Sequence, residues 1–173
     1  MQIKVNPGLC TGCRLCEMEC SFAHERRFGT HISRIRVNKA EHTGIDYPVL
    51  CQFCENSPCV NACPVGALSK TELGTIRVNR EGCTGCGTCV SACPFGAMNL
   101  HPEQGIPIPC DLCNGDPACV KGCPTNALEI FESRLLSREK QIELMEVATA
   151  KRDGFARRTT RKTLEKWGIS DDE

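Results

Sequence analysis

Cys83-Thr84-Gly85-Cys86-Gly87-Thr88-Cys89-Val90-Ser91-Ala92-Cys93-Pro94 decides how this chain folds. Its cysteines are separated by two, two and three residues, and a proline closes the run. Three related quartets accompany it, varying the middle gap or the closing proline. Upstream lie Cys10-x2-Cys13-x2-Cys16-x3-Cys20 and Cys51-x2-Cys54-x4-Cys59-x3-Cys63-Pro64, and downstream lies Cys110-x2-Cys113-x5-Cys119-x3-Cys123-Pro124. A longer duplication overlies the four repeats. Ile3-Lys4-Val5-Asn6 leads into Cys10-Thr11-Gly12-Cys13 as Ile76-Arg77-Val78-Asn79 leads into Cys83-Thr84-Gly85-Cys86. Pro58-Cys59-Val60 before Cys63-Pro64 matches Pro117-Ala118-Cys119-Val120 before Cys123-Pro124. Repeats one and three are thus one type, and repeats two and four another.

Sixteen cysteines among 173 residues would suit a disulfide scaffold in a secreted chain. Their tight quartets are instead a ligand pattern. The opening Met1-Gln2-Ile3-Lys4-Val5-Asn6-Pro7 has neither the apolar run of a signal peptide nor twin arginines, so a reducing, cytoplasmic setting is expected. No stretch approaches the roughly 18 apolar residues of a membrane span, so direct membrane insertion is not expected. Aromatic residues make up only 5%, too few for an ordinary core of this size, and bound metal is the expected substitute. The formal charge of zero counts the cysteines as neutral.

β-branched runs at Ile3–Val5, Ile35–Val37 and Ile76–Val78 read as short strands, with Thr71-Glu72-Leu73-Gly74 as a hairpin turn. The spacing predicts short helices over Val60–Ala62, Val90–Ala92 and Val120–Gly122, each ended by the proline after the last cysteine. Glycines in the ligand loops, as in Thr84-Gly85, let backbone amides approach sulfur. From Ser133 onward there is no cysteine. Helices are expected over Arg138–Lys151 and Thr159–Trp167, and seven positive against two negative charges lie between Lys151 and Lys166.

A cubane iron–sulfur cluster takes one thiolate at each of four irons. In the run Cys-x2-Cys-x2-Cys-x3-Cys-Pro the fourth cysteine ligates the other cluster of a pair. Four runs supply sixteen ligands for four 4Fe–4S clusters, with none left over. Each oxidised cluster with its thiolates carries about −2, so four would add about −8 and make the loaded protein acidic. Spacing alone does not say which repeats pair, although the hairpin between repeats two and three favours that partnership.

On Cys51-Gln52-Phe53-Cys54-Glu55-Asn56-Ser57-Pro58-Cys59, Cys110-Asp111-Leu112-Cys113 and Cys119-x3-Cys123-Pro124-Thr125-x-Ala127-Leu128, residues 1–131 resemble the four-cluster iron–sulfur subunits of the dimethyl sulfoxide reductase type. The resemblance implies an α+β fold. It is expected to have two ferredoxin-like units of two 4Fe–4S clusters each, one nested within the other, over residues 1–132, and a helical, basic docking tail over 133–173. It also implies four ligand sets: Cys10, Cys13, Cys16 and Cys123; Cys110, Cys113, Cys119 and Cys20; Cys51, Cys54, Cys59 and Cys93; and Cys83, Cys86, Cys89 and Cys63. The short length, the missing anchor and Cys16-Glu17-x-x-Cys20-Ser21-x-x-His24-Glu25 point to a soluble member, and the chain as a whole most resembles the electron-transfer subunits of tungsten-dependent aldehyde oxidoreductases. The implied partners are a catalytic subunit carrying a tungsten or molybdenum pterin and a flavin- or NAD-binding subunit. Hydrogenase, formate dehydrogenase and carbon monoxide dehydrogenase systems are the alternative parents. Repeat one ends in Ser21 rather than proline, so its helix should leave the cluster differently.

Closed zinc sites of four cysteines are the bland alternative, and a zinc-bearing nucleic-acid-binding protein follows from it. Zinc knuckles rarely use this triple spacing followed by proline. His24, His31, His42 and His101 lie off the quartets and read as surface or capping residues. No nucleophile with its base, no acid–base pair and no dinucleotide or phosphate loop is present, so no catalytic residue is expected. The basic run is interleaved by Phe155, Leu164 and Trp167, which reads as docking to a partner protein or a second copy rather than to nucleic acid. The expectation is one-electron relay without catalysis in this chain.

Overall fold

The computed structural model describes residues 1–40 and 44–131. The docking tail with its two expected helices, and His42, lie outside the described residues. Among the described residues the fold is a small α+β arrangement of three two-stranded antiparallel sheets and few helices. β1 (Gln2–Val5) begins the chain, and α1 (Leu15–Glu25) carries the end of repeat one. β2 (Arg36–Ala40) and β3 (Ile45–Val49) form a hairpin. α2 (Pro58–Asn61) precedes β4 (Leu68–Lys70), β5 (Ile76–Val78) and α3 (Thr88–Ser91). α4 (Ala118–Lys121) and β6 (Leu128–Phe131) complete the order.

Sheet pairing joins distant parts of the chain. β1 pairs with β6, placing Ile3 opposite Ile130 and Val5 opposite Leu128, and α1 packs on α4. Between them in sequence, β4 pairs with β5 through Leu68–Val78 and Lys70–Ile76, and α2 packs on α3. Thr71 N–H donates to Thr75 O at 2.8 Å and closes the expected hairpin. Alternation explains the burial: Leu68 and Ile76 face inward while Ser69 and Arg77 face out. Pro48 is tolerated in β3 because both strands of a two-stranded sheet are edges.

The three short helices are single turns. Each is followed by its last ligand and a proline, which offers no N–H to continue the helix. The chain then makes a β-turn in which Gly66, Gly96 and Asn126 donate to the carbonyls of Cys63, Cys93 and Cys123. All three take positive φ, and Asn126 replaces glycine because its short polar side chain tolerates that conformation. α1 lacks the proline and runs on for 11 residues, ending where Arg26 at φ 55° donates back to Phe22 O.

Two small cores result, and cysteine is part of both. One gathers Ile3, Ile35, Val37, Leu50, Phe53, Leu112 and Leu128 with Cys16, Cys20 and Cys119. The other gathers Leu68, Ile76 and Met98 with Cys59 and Cys89. Burying each large aliphatic side chain contributes about 1.5–3 kcal/mol.

Candidate metal centres

Each Cys-x2-Cys loop bends at its third residue into the left-handed region: Gly12 at φ 64°, Phe53 at 50°, Gly85 at 68° and Leu112 at 59°. The bend aims that residue's N–H at the first sulfur of the loop, as Gly12 does for Cys10, Phe53 for Cys51 and Leu112 for Cys110. Glycine does this without steric cost. Phe53 and Leu112 each carry about 1–2 kcal/mol of strain there, offset by side chains only 3% exposed. From the sequence, only the glycines are expected in this role. What could have revealed the others is their shared position, immediately before the second cysteine.

Three small pockets are each lined by four of the cysteines. Cys10, Cys13, Cys16 and Cys123 line the first, beside Val37, Pro48 and Leu128. Cys51, Cys54, Cys59 and Cys93 line the second, and Cys63, Cys83, Cys86 and Cys89 the third. The remaining four also converge. Cys110 lies in the electrostatic field of Cys119 and Cys20, Cys119 in that of Cys20 and Cys113, and His24 touches the sulfurs of both Cys20 and Cys113. Cys119 also feels Cys16, and Cys110 feels Cys51, so adjacent groups of four stand close together. Cys13 and Cys86 are exposed, whereas Cys16, Cys20, Cys59, Cys89 and Cys119 are buried.

These surroundings test whether the residues suit an iron–sulfur core. Burial, then Glu17 and Cys10, push the Cys16 thiol up to about 12. Burial and the neighbouring Cys54, Cys59 and Cys93 push Cys51 to about 12, against the Phe53 N–H. Burial and other cysteines likewise raise Cys110 and Cys119. Four thiolates held this close in apolar surroundings repel one another unless a cationic core stands among them. The donor set, the apolar walls and the amides aimed at sulfur all fit 4Fe–4S chemistry.

His24 corrects the expectation that the histidines stand apart from the quartets. It lies on the last turn of α1, 12% exposed, with Nδ1 3.8 Å from Cys20 Sγ and Nε2 3.9 Å from Cys113 Sγ. Nδ1 donates to Cys20 O at 2.7 Å and Nε2 to Asp111 Oδ1 at 3.0 Å. Burial opposes its charge, but Asp111, Cys113 and Cys20 outweigh that and lift its pKa to about 12. Asp111 is partly buried too, yet His24 and Arg34 hold its carboxyl well below the usual carboxylate range. His101 is also not a surface residue: it is 1% exposed, and its Nδ1 accepts from the N–H groups of Glu103 and Gln104, a capping role. His31 is exposed.

Fold and site together define a ferredoxin-type iron–sulfur protein. Residues 43–133 match the 4Fe-4S dicluster domain family, over half of the chain, and residues 7–23 match a 4Fe-4S binding domain. The chain belongs to the 4Fe-4S dicluster domain family, and its cofactors are multiple 4Fe–4S clusters. It is 48% identical over 86 residues to the polyferredoxin-like subunit of an aliphatic sulfonate oxidoreductase of Pyrococcus furiosus, covering 49% of each chain. It is 38% identical over 86 residues to the electron transport protein HydN of Escherichia coli, covering 46% of this chain and 47% of that one. Formate hydrogenlyase subunit 2 of Escherichia coli is 36% identical over 78 residues, or 45% of this chain and 37% of that one. The matched stretch spans about half or less of these relatives' length. Among solved structures, the BamBC active site complex of benzoyl coenzyme A reductase with zinc is similar at a TM-score of 0.49 and 25% identity, over 95% of this chain and 96% of that one. No helix among the described residues is long and apolar enough to cross a membrane.

Proposed function

We propose that this chain is the electron-transfer subunit of an oxidoreductase complex. It relays single electrons through four 4Fe–4S clusters between a catalytic subunit and a second redox partner. The observation that carries the reading is that three quartets of cysteines each line one pocket and the remaining four lie near one another, which supports sharing sixteen thiols among four clusters with none to spare. The clusters supply reversible one-electron storage when bound.

In this reading the ligand sets are Cys10, Cys13, Cys16 and Cys123; Cys20, Cys110, Cys113 and Cys119; Cys51, Cys54, Cys59 and Cys93; and Cys63, Cys83, Cys86 and Cys89. The two ferredoxin-like units are nested, with repeats two and three inside repeats one and four. The pairing of β1 with β6 and of β4 with β5 supports that nesting. The proximity of Cys16 to Cys119 and of Cys110 to Cys51 supports a linear order of the four sites. Exposed Cys13 and Cys86 then mark its two ports. Apolar side chains such as Ile76, Met98 and Leu128 keep water from the sulfurs, and the amides of Gly12, Phe53 and Leu112 hold them.

The parent enzyme we favour carries a tungsten or molybdenum pterin and acts as an aldehyde oxidoreductase. Likeness to the sulfonate oxidoreductase subunit supports an oxidoreductase parent. Likeness to HydN and to the formate hydrogenlyase subunit supports the second reading, a hydrogenase or formate-oxidising system. Residues 133–173 serve as the docking tail of a cytoplasmic complex. Anaerobic purification of the tagged chain tests the proposal. Recovery with a pterin-bearing subunit and about sixteen iron per chain is expected. Stoichiometric zinc, or half that iron, would overturn the four-cluster relay.

A further inference from the structure

Two cysteines on one helix meet opposite surroundings. Cys16 and Cys20 lie a turn apart on α1. Cys16 is followed by Glu17, a side chain 2% exposed whose Oε1 accepts from Val37 N–H at 2.6 Å, with Arg14 Nη1 3.9 Å from Oε2. Asp46 adds a second carboxylate to the same quartet through the field it exerts on Cys10. Cys20 instead faces His24 and accepts a hydrogen bond at 3.4 Å from the backbone N–H of Arg34.

The charge on His24 follows from its partners. One ring nitrogen meets a carbonyl oxygen and the other a carboxylate, and both partners can only accept, so both nitrogens carry hydrogen. Asp111 orients the ring, donates nothing, and is itself held by the Arg34 guanidinium and by Cys113 N–H at 2.9 Å. His24, Arg34 and Asp111 together bring one net positive charge to the sulfurs of Cys20 and Cys113. Reduction of a cluster adds one negative charge. A buried cation beside its thiolates favours the reduced form, and a buried carboxylate disfavours it.

We propose that the cluster held by Cys20, Cys110, Cys113 and Cys119 has a higher reduction potential than its neighbour held by Cys10, Cys13, Cys16 and Cys123, raised by His24 while Glu17 holds the neighbour down. This rests on the ligand sets proposed above. An electron given up at the Cys10 set, which is oxidised, is taken up at the Cys20 set, which is reduced. No bond forms or breaks, and His24 keeps both protons. The potential step gives the pair a direction, from the exposed Cys13 end inward.

The test is a potentiometric titration of the intact, cluster-loaded chain followed by paramagnetic resonance, with iron content measured on every sample. His24→Gln should lower one midpoint potential and leave the others in place, and His24→Lys should lower it less. Glu17→Gln, which keeps an acceptor for Val37 N–H, should raise a different single midpoint. Cys113→Ser identifies which signal belongs to the Cys20 set. If His24→Gln moves no midpoint at full iron content, the charge argument is overturned while the ligand sets stand. If His24→Gln and Cys113→Ser alter different signals, the ligand sets themselves are wrong. Should His24→Gln lose iron, Glu17→Gln decides alone: a raised midpoint supports the proposal, and an unmoved one overturns it.

Discussion

The region built on β1, α1, α4 and β6 and the region built on α2, β4, β5 and α3 use one ligand rhythm in different settings. In the second, α2 and α3 are single turns, and Leu68, Ile76 and Met98 supply the packing. There the half-buried Lys70 donates through Nζ to the carbonyls of Cys54 and Glu55 at 2.8 and 3.1 Å. In the first, α1 continues past its last ligand, and Glu17, His24, Arg34 and Asp111 gather at the cysteines. The difference traces to one position. Proline after Cys63 and Cys93 ends the helix at the ligand, while Ser21 lets α1 extend far enough to carry His24 one turn beyond Cys20. Here the helix that outlasts its ligand brings a charged group to the cysteines.

The sharpest way to break this comparison is to remove one ligand from each region. Cys119→Ser and Cys89→Ser should each lower iron from about sixteen to about twelve per chain. If either variant loses all its iron, the two regions do not load independently. Next in size is Phe53→Ala, which empties a buried site and should cost about 3–5 kcal/mol of apparent stability, read as anaerobic urea bleaching of the visible spectrum. Relief of left-handed strain cannot offset that loss, since alanine at φ 50° is strained as well. A stabilised Phe53→Ala would mean that strain, not packing, governs the loop.

Smaller effects separate strain from crowding. Gly66→Ala should cost about 1–2 kcal/mol from its positive φ alone, because nothing lies within 4 Å of the new methyl. Gly85→Ala should cost more by the same measurement, since its methyl would sit 2.8 Å from Gly105 O. Equal losses would show that the Gly105 loop moves aside freely. The least effect on the clusters is expected from deleting residues 133–173. Iron content and the visible spectrum should stay unchanged while assembly, read by size-exclusion chromatography with light scattering, weakens or disappears. Lost clusters with an intact partner complex would assign the tail to the cluster fold instead.

Much of the site is legible in the cysteine spacing. Ligand loops, the prolines that end helices and the Thr71–Gly74 turn are local features, decided by residues within a few positions of one another. The strands were found to within one or two residues at β1 and β5, and β2 lay a little later than the β-branched run that signals it, with Ile35 buried just before its start. The role of His24 is not legible in the sequence because it depends on Asp111 and Cys113, 87 and 89 residues away. The bends at Phe53 and Leu112 are not legible either, because a positive φ at a bulky residue is unfavourable until burial compensates for it.

By itself the sequence determined that this chain binds iron–sulfur clusters through cysteine quartets, because the spacing of thiols along a few residues is set by covalent geometry. Only the tertiary structure decided that Cys123 shares a cavity with Cys10, Cys13 and Cys16, and that Cys16 and Cys20 face opposite charges. Those outcomes depend on β6 returning to pair with β1 and on α4 packing against α1, and no local pattern encodes a return across the length of the fold.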